Sequence, residues 1–399
     1  MIKRDLYIDK IKPFINKEMV KVITGIRRSG KSVLLKSIIK ELKSMGINHE
    51  NIIFINFESG DYQDITSNTQ LNQLIKKLSS NKKGKLYLFF DEIQVVDKWE
   101  KSIAGFLVDY DADIYITGSN AKLLSGELAT YLSGRYVQIK VYPFNFKEVL
   151  KLNKEYYDET DEKKIFNEYI QLGGMPPIFN LIDKNKKVFL EDIYTSIVYK
   201  DIIQRRSIRN IELLDRLIRF IMDNIGQTFS ANSISKYFKN EKRNVKTETI
   251  YNYLSYLEDA FFLNKVRRED LVGKKILKTD EKFFLTDHGF RELSGGNNIK
   301  DIGQVLENIV YMEMLSRGYQ VFVGKVNNYE VDFVCKKFKE QIYIQVSLTL
   351  FDKNTQEREF RPLLEIKDNY PKYVISMDEL DFSQDGIIHK NIIDFLKEK

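Results

Sequence analysis

The stretch Val22-Ile23-Thr24-Gly25-Ile26-Arg27-Arg28-Ser29-Gly30-Lys31-Ser32 constrains the fold more than any other part of this 399-residue chain. It matches G-x-x-x-x-G-K-[ST], the pattern of a loop that cradles phosphates. The apolar run Met19 to Ile23 reads as a buried parallel strand, and the residues from about Lys31 onward read as a helix. Gly25 and Gly30 let the backbone curl, so that the N–H groups of Ile26, Arg27, Arg28 and Ser29 turn toward an anion at the helix N-terminus. Lys31 is expected to reach the β- and γ-phosphates, and the Ser32 hydroxyl to be a ligand of Mg²⁺. The pattern therefore calls for ATP and Mg²⁺ bound at Gly25 to Ser32.

Residues 1–150 continue in a strand and helix rhythm. A helical pattern runs from Val33 to Met45, a strand pattern from Asn51 to Phe57, a helix near Thr69 to Leu78, and a strand from Lys85 to Phe90. Such alternation is the signature of an α/β fold with a parallel sheet. The last of these strands runs into Asp91-Glu92. Asp91 is expected to hold Mg²⁺, directly or through water, and Glu92 to polarise the water that attacks the γ-phosphate. The strand Asp113 to Asn120 ends in small polar residues, and ligands of open α/β sheets sit at such carboxyl ends. Ser119 or Asn120 could bond the γ-phosphate or the attacking water; a polar turn capping the next helix is the other reading. Arg135, ahead of the strand Tyr136 to Tyr142, is a candidate to supply positive charge to a γ-phosphate, in its own subunit or a neighbour.

Composition excludes several classes. Hydrophobic residues make up 43% and charged residues 30%, as in ordinary globular proteins. There is no apolar run of membrane-spanning length, and MIKRDLYIDKIKPF lacks the apolar centre of a signal peptide, so the expected location is the cytoplasm. One cysteine, Cys335, and three histidines, His49, His288 and His389, cannot make a disulfide or a Cys/His zinc site. The net charge of +6 is uneven: +6 over residues 1–150, none over 151–225, +4 over 226–300 and −4 over 301–399. Nucleic-acid contact is therefore expected in the first or third segment.

GIRRSGKS, LYLFFDEIQ with Trp99 after it, YITGSNAKLLS, LSGRY and YPFNFKEVL, in this order and spacing, resemble the AAA-type P-loop ATPases of bacteria and archaea. Tyr169-Ile-Gln-Leu-Gly-Gly-Met-Pro176 and Tyr199-Lys-Asp-Ile-Ile203 resemble the same family, so that the resemblance covers nearly the whole chain. It implies a five-stranded AAA+ core that hydrolyses ATP, a helical segment, a winged helix and a C-terminal domain related to restriction endonucleases. The expected division is 1–150 for the ATPase core, 151–225 for a helical lid or connector, 226–300 for the winged helix and 301–399 for the endonuclease-like domain.

The residues themselves support parts of this division. Gly173-Gly174-Met-Pro-Pro177 must be a turn within a helical region. Ser230 can cap a helix through Phe238, and a longer helix from about Thr247 carries Ile250, Leu254, Leu257 and Phe261 at helical spacing. Two strand patterns then frame the basic loop Arg267-Arg268 to Lys274-Lys275, and with Lys242, Arg243 and Lys246 this reads as a winged helix-turn-helix that meets DNA phosphates. Protein contact is the alternative use of such a module. In the last segment, Glu307 on a helix, Asp332 on a strand and Gln345 on the next fit the PD-(D/E)xK pattern that the resemblance implies. Ser347 stands where that pattern has lysine. Little or no cleavage is expected, with Lys353 or Arg358 as possible substitutes for the lysine. The expected function is an ATP-hydrolysing, DNA-associated switch; the alternatives are an ATP-gated nuclease and a protein-binding regulator, and oligomers are possible.

Overall fold

The computed structural model describes residues 2–124, 130–132, 134–181, 183–241, 243, 245–273, 275–293 and 301–398. Lys242 and Lys274, expected at a DNA surface, lie outside the described residues. The chain forms two compact units: residues 1–142 with 259–261, and residues 143–258 with 262–399.

The first unit is built on five parallel strands, β1 (Val20–Thr24), β2 (Ile52–Asn56), β3 (Leu86–Asp91), β4 (Ala112–Gly118) and β5 (Tyr136–Lys140). Their order is β2-β3-β4-β1-β5, which places β1 between β4 and β5. Every residue of β1, β3 and β4 is buried, as expected of near-continuous apolar runs covered on both faces. Alternation along each strand sorts the core into two layers. Val20, Val22, Leu88 and Phe90 pack with Leu71 and Ile75 of the helix Asn68–Ser79, and with Trp99, Ile103 and Phe106 of the helix Trp99–Asp109. On the other face, Ile23 and Phe89 pack with Leu34, Leu35 and Ile38 of the helix Lys31–Ser44, and with Tyr7, Ile8 and Ile11 of the helix Asp5–Ile11. This second face also buries an ion pair, Lys21 with Asp113, and the Asp113 carboxylate accepts from the Tyr115 hydroxyl at 2.9 Å. Helix ends carry their own signals: Ser67 and Gln70 form a capping box at the start of Asn68–Ser79.

The second unit joins helices to one mixed sheet of eight strands, in the order β13-β12-β11-β10-β9-β7-β8-β6. Its strands are β6 (Thr228–Phe229), β7 (Leu263–Asp270), β8 (Lys275–Leu285), β9 (Gln320–Val326), β10 (Tyr329–Lys337), β11 (Glu340–Val346), β12 (Lys372–Ser376) and β13 (Ile388–Asn391). The helices Ile211–Asp223, Ala231–Asn240 and Thr247–Asp259 precede the antiparallel hairpin β7–β8, and β6 pairs with β8. Ser230 caps the helix Ala231–Asn240 through a capping box with Ser233. The hairpin does not end the sheet: β7 pairs in parallel with β9, so the basic hairpin and the last hundred residues share one ladder. The Gly173-Gly174 break is fixed by close approach. A Cβ on Gly174 would meet the Phe144 carbonyl oxygen at 2.1 Å, and one on Gly173 would meet Asp287 Oδ1 at 1.8 Å. Among the described residues no helix is long and apolar enough to cross a membrane.

Candidate nucleotide site

Because β1 lies between strands reached in opposite directions, a crevice opens at its carboxyl end, and the loop from Gly25 to Gly30 occupies that place. Gly25 has φ 147°, and a Cβ there would come within 2.2 Å of the Val141 carbonyl oxygen, so that only glycine fits. Gly30 has φ 96° and leads directly into the helix Lys31–Ser44, whose N-terminus carries no side-chain cap. The uncapped N–H groups of its first turn face the loop and suit an anion. Ser29 Oγ is buried without a hydrogen-bond partner. Ile26 is buried beneath the loop, Arg28 is exposed with φ 69°, and Arg27 lies 3.3 Å from Glu58.

Lys31 Nζ donates to the carbonyl oxygens of Gly25 at 3.1 Å and Ile26 at 3.2 Å, and lies 3.6 Å from Glu92 Oε1. Asp91 ends β3 with Oδ1 accepting from Thr117 Oγ1 at 2.6 Å. Its Oδ2 is buried, with the Ser32 hydroxyl close by but no hydrogen bond that satisfies it. Burial raises the Asp91 pKa, against the pull of the Thr117 and Ser32 hydroxyls. Glu92 turns the chain with φ 55° and accepts from the Gln94 amide. Burial pushes its carboxyl up, but the Lys31 ammonium, the Gln94 amide and the Arg27 guanidinium outweigh that and hold it below the usual range. The two neighbouring carboxyls are thus driven in opposite directions, Asp91 up by burial and Glu92 down by the cation and amide beside it.

The donor set fits a magnesium nucleotide. An orphaned carboxylate oxygen beside a serine hydroxyl offers hard oxygen ligands, and the curled loop with Lys31 offers cations and N–H donors to phosphate oxygens.

Of the residues singled out from sequence, Gly25 to Ser32, Asp91, Glu92, Ser119 and Asn120 all come together at this edge of the sheet, with Ser119 beside Glu92 and Asn120 buried just beyond β4. Arg135 does not join them. It precedes β5 at the amino end of the sheet, where its carbonyl accepts from Val20 N–H at 3.0 Å, a full strand length of about 15 Å from the loop. Its place in the sheet sets it apart from its own subunit's loop, Asp91 and Glu92. Two residues were missed. Thr117 accepts the Glu92 N–H at 2.9 Å while donating to Asp91, and only its polar character at the end of an apolar strand hinted at this. Arg4 is buried and donates to the carbonyls of Ser29 at 3.0 Å and Tyr142 at 2.9 Å, bracing the loop from below; nothing in the N-terminal sequence marks it.

The second unit holds a separate cavity of about 740 Å³, lined by Glu307, Asp332, Gln345, Ser347 and Lys282 among others. Glu307, Asp332 and Gln345 line it together, and the ammonium beside the two carboxylates belongs to neither Lys353 nor Arg358. It comes from Lys282 of β8, whose Nζ lies 2.7 Å from Glu330, 3.7 Å from Glu307 and 3.9 Å from Asp332. Arg358 instead bonds Glu359 at 2.7 Å. Burial lowers the Lys282 pKa, but the Glu307, Asp332 and Glu330 carboxylates outweigh it and raise the value, so the side chain stays charged. Burial and the neighbouring Asp332 raise the pKa of Glu307.

An AAA domain model matches residues 17–150, which include the P-loop, Asp91-Glu92 and β4, and a domain of unknown function (DUF8612) matches residues 163–298. An uncharacterised protein of Haemophilus influenzae is 40% identical over 397 residues, spanning 99% of this chain and 98% of its own length. An uncharacterised protein of Methanocaldococcus jannaschii is 36% identical over 374 residues, 90% of this chain and 80% of its own length. Among solved structures, a Walker-type ATPase of Pyrococcus abyssi shares the fold with a TM-score of 0.53 and 15% identity, over 74% of this chain and 96% of that one. Matched almost end to end by one relative and carrying an AAA domain over its nucleotide loop, the chain belongs to a family of AAA-type P-loop ATPases.

Proposed function

We propose that the protein binds ATP with Mg²⁺ at the loop Gly25 to Ser32, hydrolyses it slowly when alone, and uses the nucleotide state as a switch. The observation that carries this reading is the meeting of Lys31, Ser32, Asp91 and Glu92 at one end of the parallel sheet. Phosphate oxygens would replace the loop carbonyls as partners of Lys31. Ser32 and Asp91 would hold Mg²⁺, which supplies charge neutralisation to the transferring phosphoryl group. Glu92, kept ionised by its neighbours, would orient and polarise water, with Thr117 fixing its backbone. Asn120 is read as a contact to the γ-phosphate or the water, and Arg135 as a cation offered to a neighbouring subunit.

DNA is proposed as the partner of the helix Thr247–Asp259. The order of three helices, a short strand paired with the hairpin, and the hairpin itself supports a winged helix, and Lys246, Tyr251 and Asn252 are exposed at the start of that helix. The basic residues are fewer than the sequence suggested. Arg268 is turned to Glu330 at 3.1 Å and Arg243 to Glu212 at 2.8 Å, which leaves Lys246 and Arg267 exposed among the described ones. ATP hydrolysis measured with and without duplex and single-stranded DNA tests the reading. Stimulation that weakens with salt, and with Lys246→Ala plus Arg267→Ala, supports it. Hydrolysis indifferent to DNA, with no DNA retained at low salt, moves the reading to a protein partner.

A metal-dependent nuclease in the second unit is the second reading, favoured by one observation, the lysine found among the cavity's carboxylates. Nicking of supercoiled plasmid with Mg²⁺ or Mn²⁺, abolished by Asp332→Ala, would establish it; intact plasmid would remove it.

A further inference from the structure

The nucleotide loop carries two adjacent arginines that the fold treats differently. Arg28 is exposed with φ 69°, whereas the Arg27 side chain is only 16% exposed. The Arg27 guanidinium lies 3.3 Å from Glu58 Oε1 and is also felt at Glu92. Burial pushes the Glu92 carboxyl up, and Arg27 is one of the groups that together outweigh it. Lys31 Nζ stands 3.6 Å from the same carboxylate, so two cations of one loop act on the proposed base.

Glu58 follows β2, whose last residue, Asn56, stands opposite Asp91. The Phe57 N–H donates to the Asp91 carbonyl oxygen at 3.1 Å, so Glu58 emerges at the same edge of the sheet as Asp91 and Glu92. Its side chain is 50% exposed. An ion pair with so exposed a partner is screened by water and exchanges readily for a phosphate, whose several oxygens suit the planar guanidinium fork. The chemistry calls for such a cation. Negative charge spreads over the equatorial oxygens of a γ-phosphoryl group as it transfers, and Arg135 stands at the other end of the sheet.

We propose that Arg27 is a catalytic residue of ATP hydrolysis, a cation supplied to the γ-phosphate by the loop itself, and that the γ-phosphate displaces Glu58 as its partner. The inference rests on the reading of this loop as an ATP site. In the step, a water oxygen bonds to the γ-phosphorus while one of its protons passes to Glu92. The bond from that phosphorus to the β–γ bridging oxygen breaks, and its electron pair leaves on ADP. Arg27 donates hydrogen bonds to γ-phosphate oxygens throughout and gives up no proton, because a guanidinium stays charged. ADP has no γ-phosphate. Arg27 therefore separates ATP from ADP, whereas Lys31 reaches the β-phosphate of both.

The test compares Arg27→Gln, Arg27→Lys and Glu58→Gln with the wild type, each as the full chain. Fluorescent analogues of ADP and ATP report binding, phosphate release reports turnover, and ADP with aluminium fluoride, a mimic of the transferring group, reports affinity for the transition state. Arg27→Gln should bind ADP as the wild type does, bind ATP about tenfold more weakly, lose about 100-fold or more in kcat and retain no aluminium fluoride complex. Arg27→Lys, a charge without the planar fork, should fall between the two. Glu58→Gln should tighten ATP and leave kcat no lower, because a carboxylate that competes with phosphate is gone. A brace for the loop would behave otherwise. Loss of ADP binding in Arg27→Gln, or an equal loss of kcat in Glu58→Gln, would overturn the proposal. So would a kcat for Arg27→Gln close to that of the wild type, an outcome that leaves ATP hydrolysis itself standing. A wild type that neither binds nor hydrolyses ATP would sink both readings.

Discussion

Thr117 Oγ1 donates to Asp91 Oδ1 at 2.6 Å from the neighbouring strand, and the same oxygen accepts the N–H of Glu92 at 2.9 Å. One hydroxyl thus ties the proposed metal-binding carboxylate to the backbone of the proposed base. Thr117→Val keeps the shape and removes both bonds. It should cost about 1–3 kcal/mol in a site that is buried, because two polar groups are left unsatisfied. The expected kinetic signature is a fall in kcat with little change in nucleotide affinity. Unchanged kcat in a folded variant would reduce Thr117 to a packing residue.

Lys31 and Glu92 share an ion pair of 3.6 Å but should fail differently when replaced. Lys31→Ala removes the cation proposed to meet phosphate, so nucleotide binding should be lost. Glu92→Gln retains a polar side chain of the same size and should bind ATP while turnover falls about 100-fold or more. Fluorescent-nucleotide titration and phosphate release distinguish the two. Hydrolysis at the wild-type rate by Glu92→Gln would remove Glu92 from its role.

Gly25 tolerates no side chain, since its Cβ would sit 2.2 Å from the Val141 carbonyl oxygen. Gly25→Ala must shift either the loop or the end of β5. A strained backbone of this sort costs about 1–3 kcal/mol, and the N–H groups would no longer converge. The rise in melting temperature that ADP and Mg²⁺ give the wild type should shrink or vanish in the variant. A full ADP-induced rise would show that the close approach is dispensable.

How much of this was legible in the sequence follows from where the physics is local. The loop pattern, the apolar runs of β1, β3 and β4 and the cap at Ser230 depend on neighbours in the chain, and they stand within a residue or two of expectation. Long-range partners were not legible. Arg4 reaches the loop across 25 positions, and Lys282 lies 50 positions ahead of Asp332, in a hairpin whose charges read as a DNA surface. The same blindness hid the pairing of Arg268 with Glu330, because a basic run looks solvated until the strand that neutralises it is known. Arg135 shows the converse error: closeness to a strand was read correctly, but not which end of the sheet that strand begins at.

Asp287 and His288 make a pH prediction that only single substitutions reveal. Burial raises the Asp287 carboxyl to about 7 from its ordinary 3.8, against the pull of the Gly174 and Gly289 N–H groups, each donating at 2.9 Å. Burial lowers the neighbouring His288 imidazole to about 4 from 6.5, although its ring nitrogen lies 2.6 Å from the Tyr169 carbonyl oxygen. A raised carboxyl contributes stability at low pH that is lost as pH rises from about 4 through 7. A depressed histidine contributes stability above about 6.5 that is lost as pH falls toward 4. Between those limits the folded pair carries one proton on Asp287 and the unfolded pair carries one on His288, so the two slopes cancel and the wild type shows neither. Asp287→Asn should expose the histidine slope, a loss of stability on acidification from pH 6.5 to 4.5. His288→Gln, which can still donate to Tyr169, should expose the opposite slope, a loss of stability as pH rises over the same range. Each slope is at most about 1.4 kcal/mol per pH unit, the value for one proton. The measurement is the opening free energy of peptides spanning residues 169–176 and 286–291 by hydrogen exchange, corrected for the intrinsic rate at each pH. Opposite slopes in the two variants carry the argument; parallel slopes would mean that neither group titrates with the local fold.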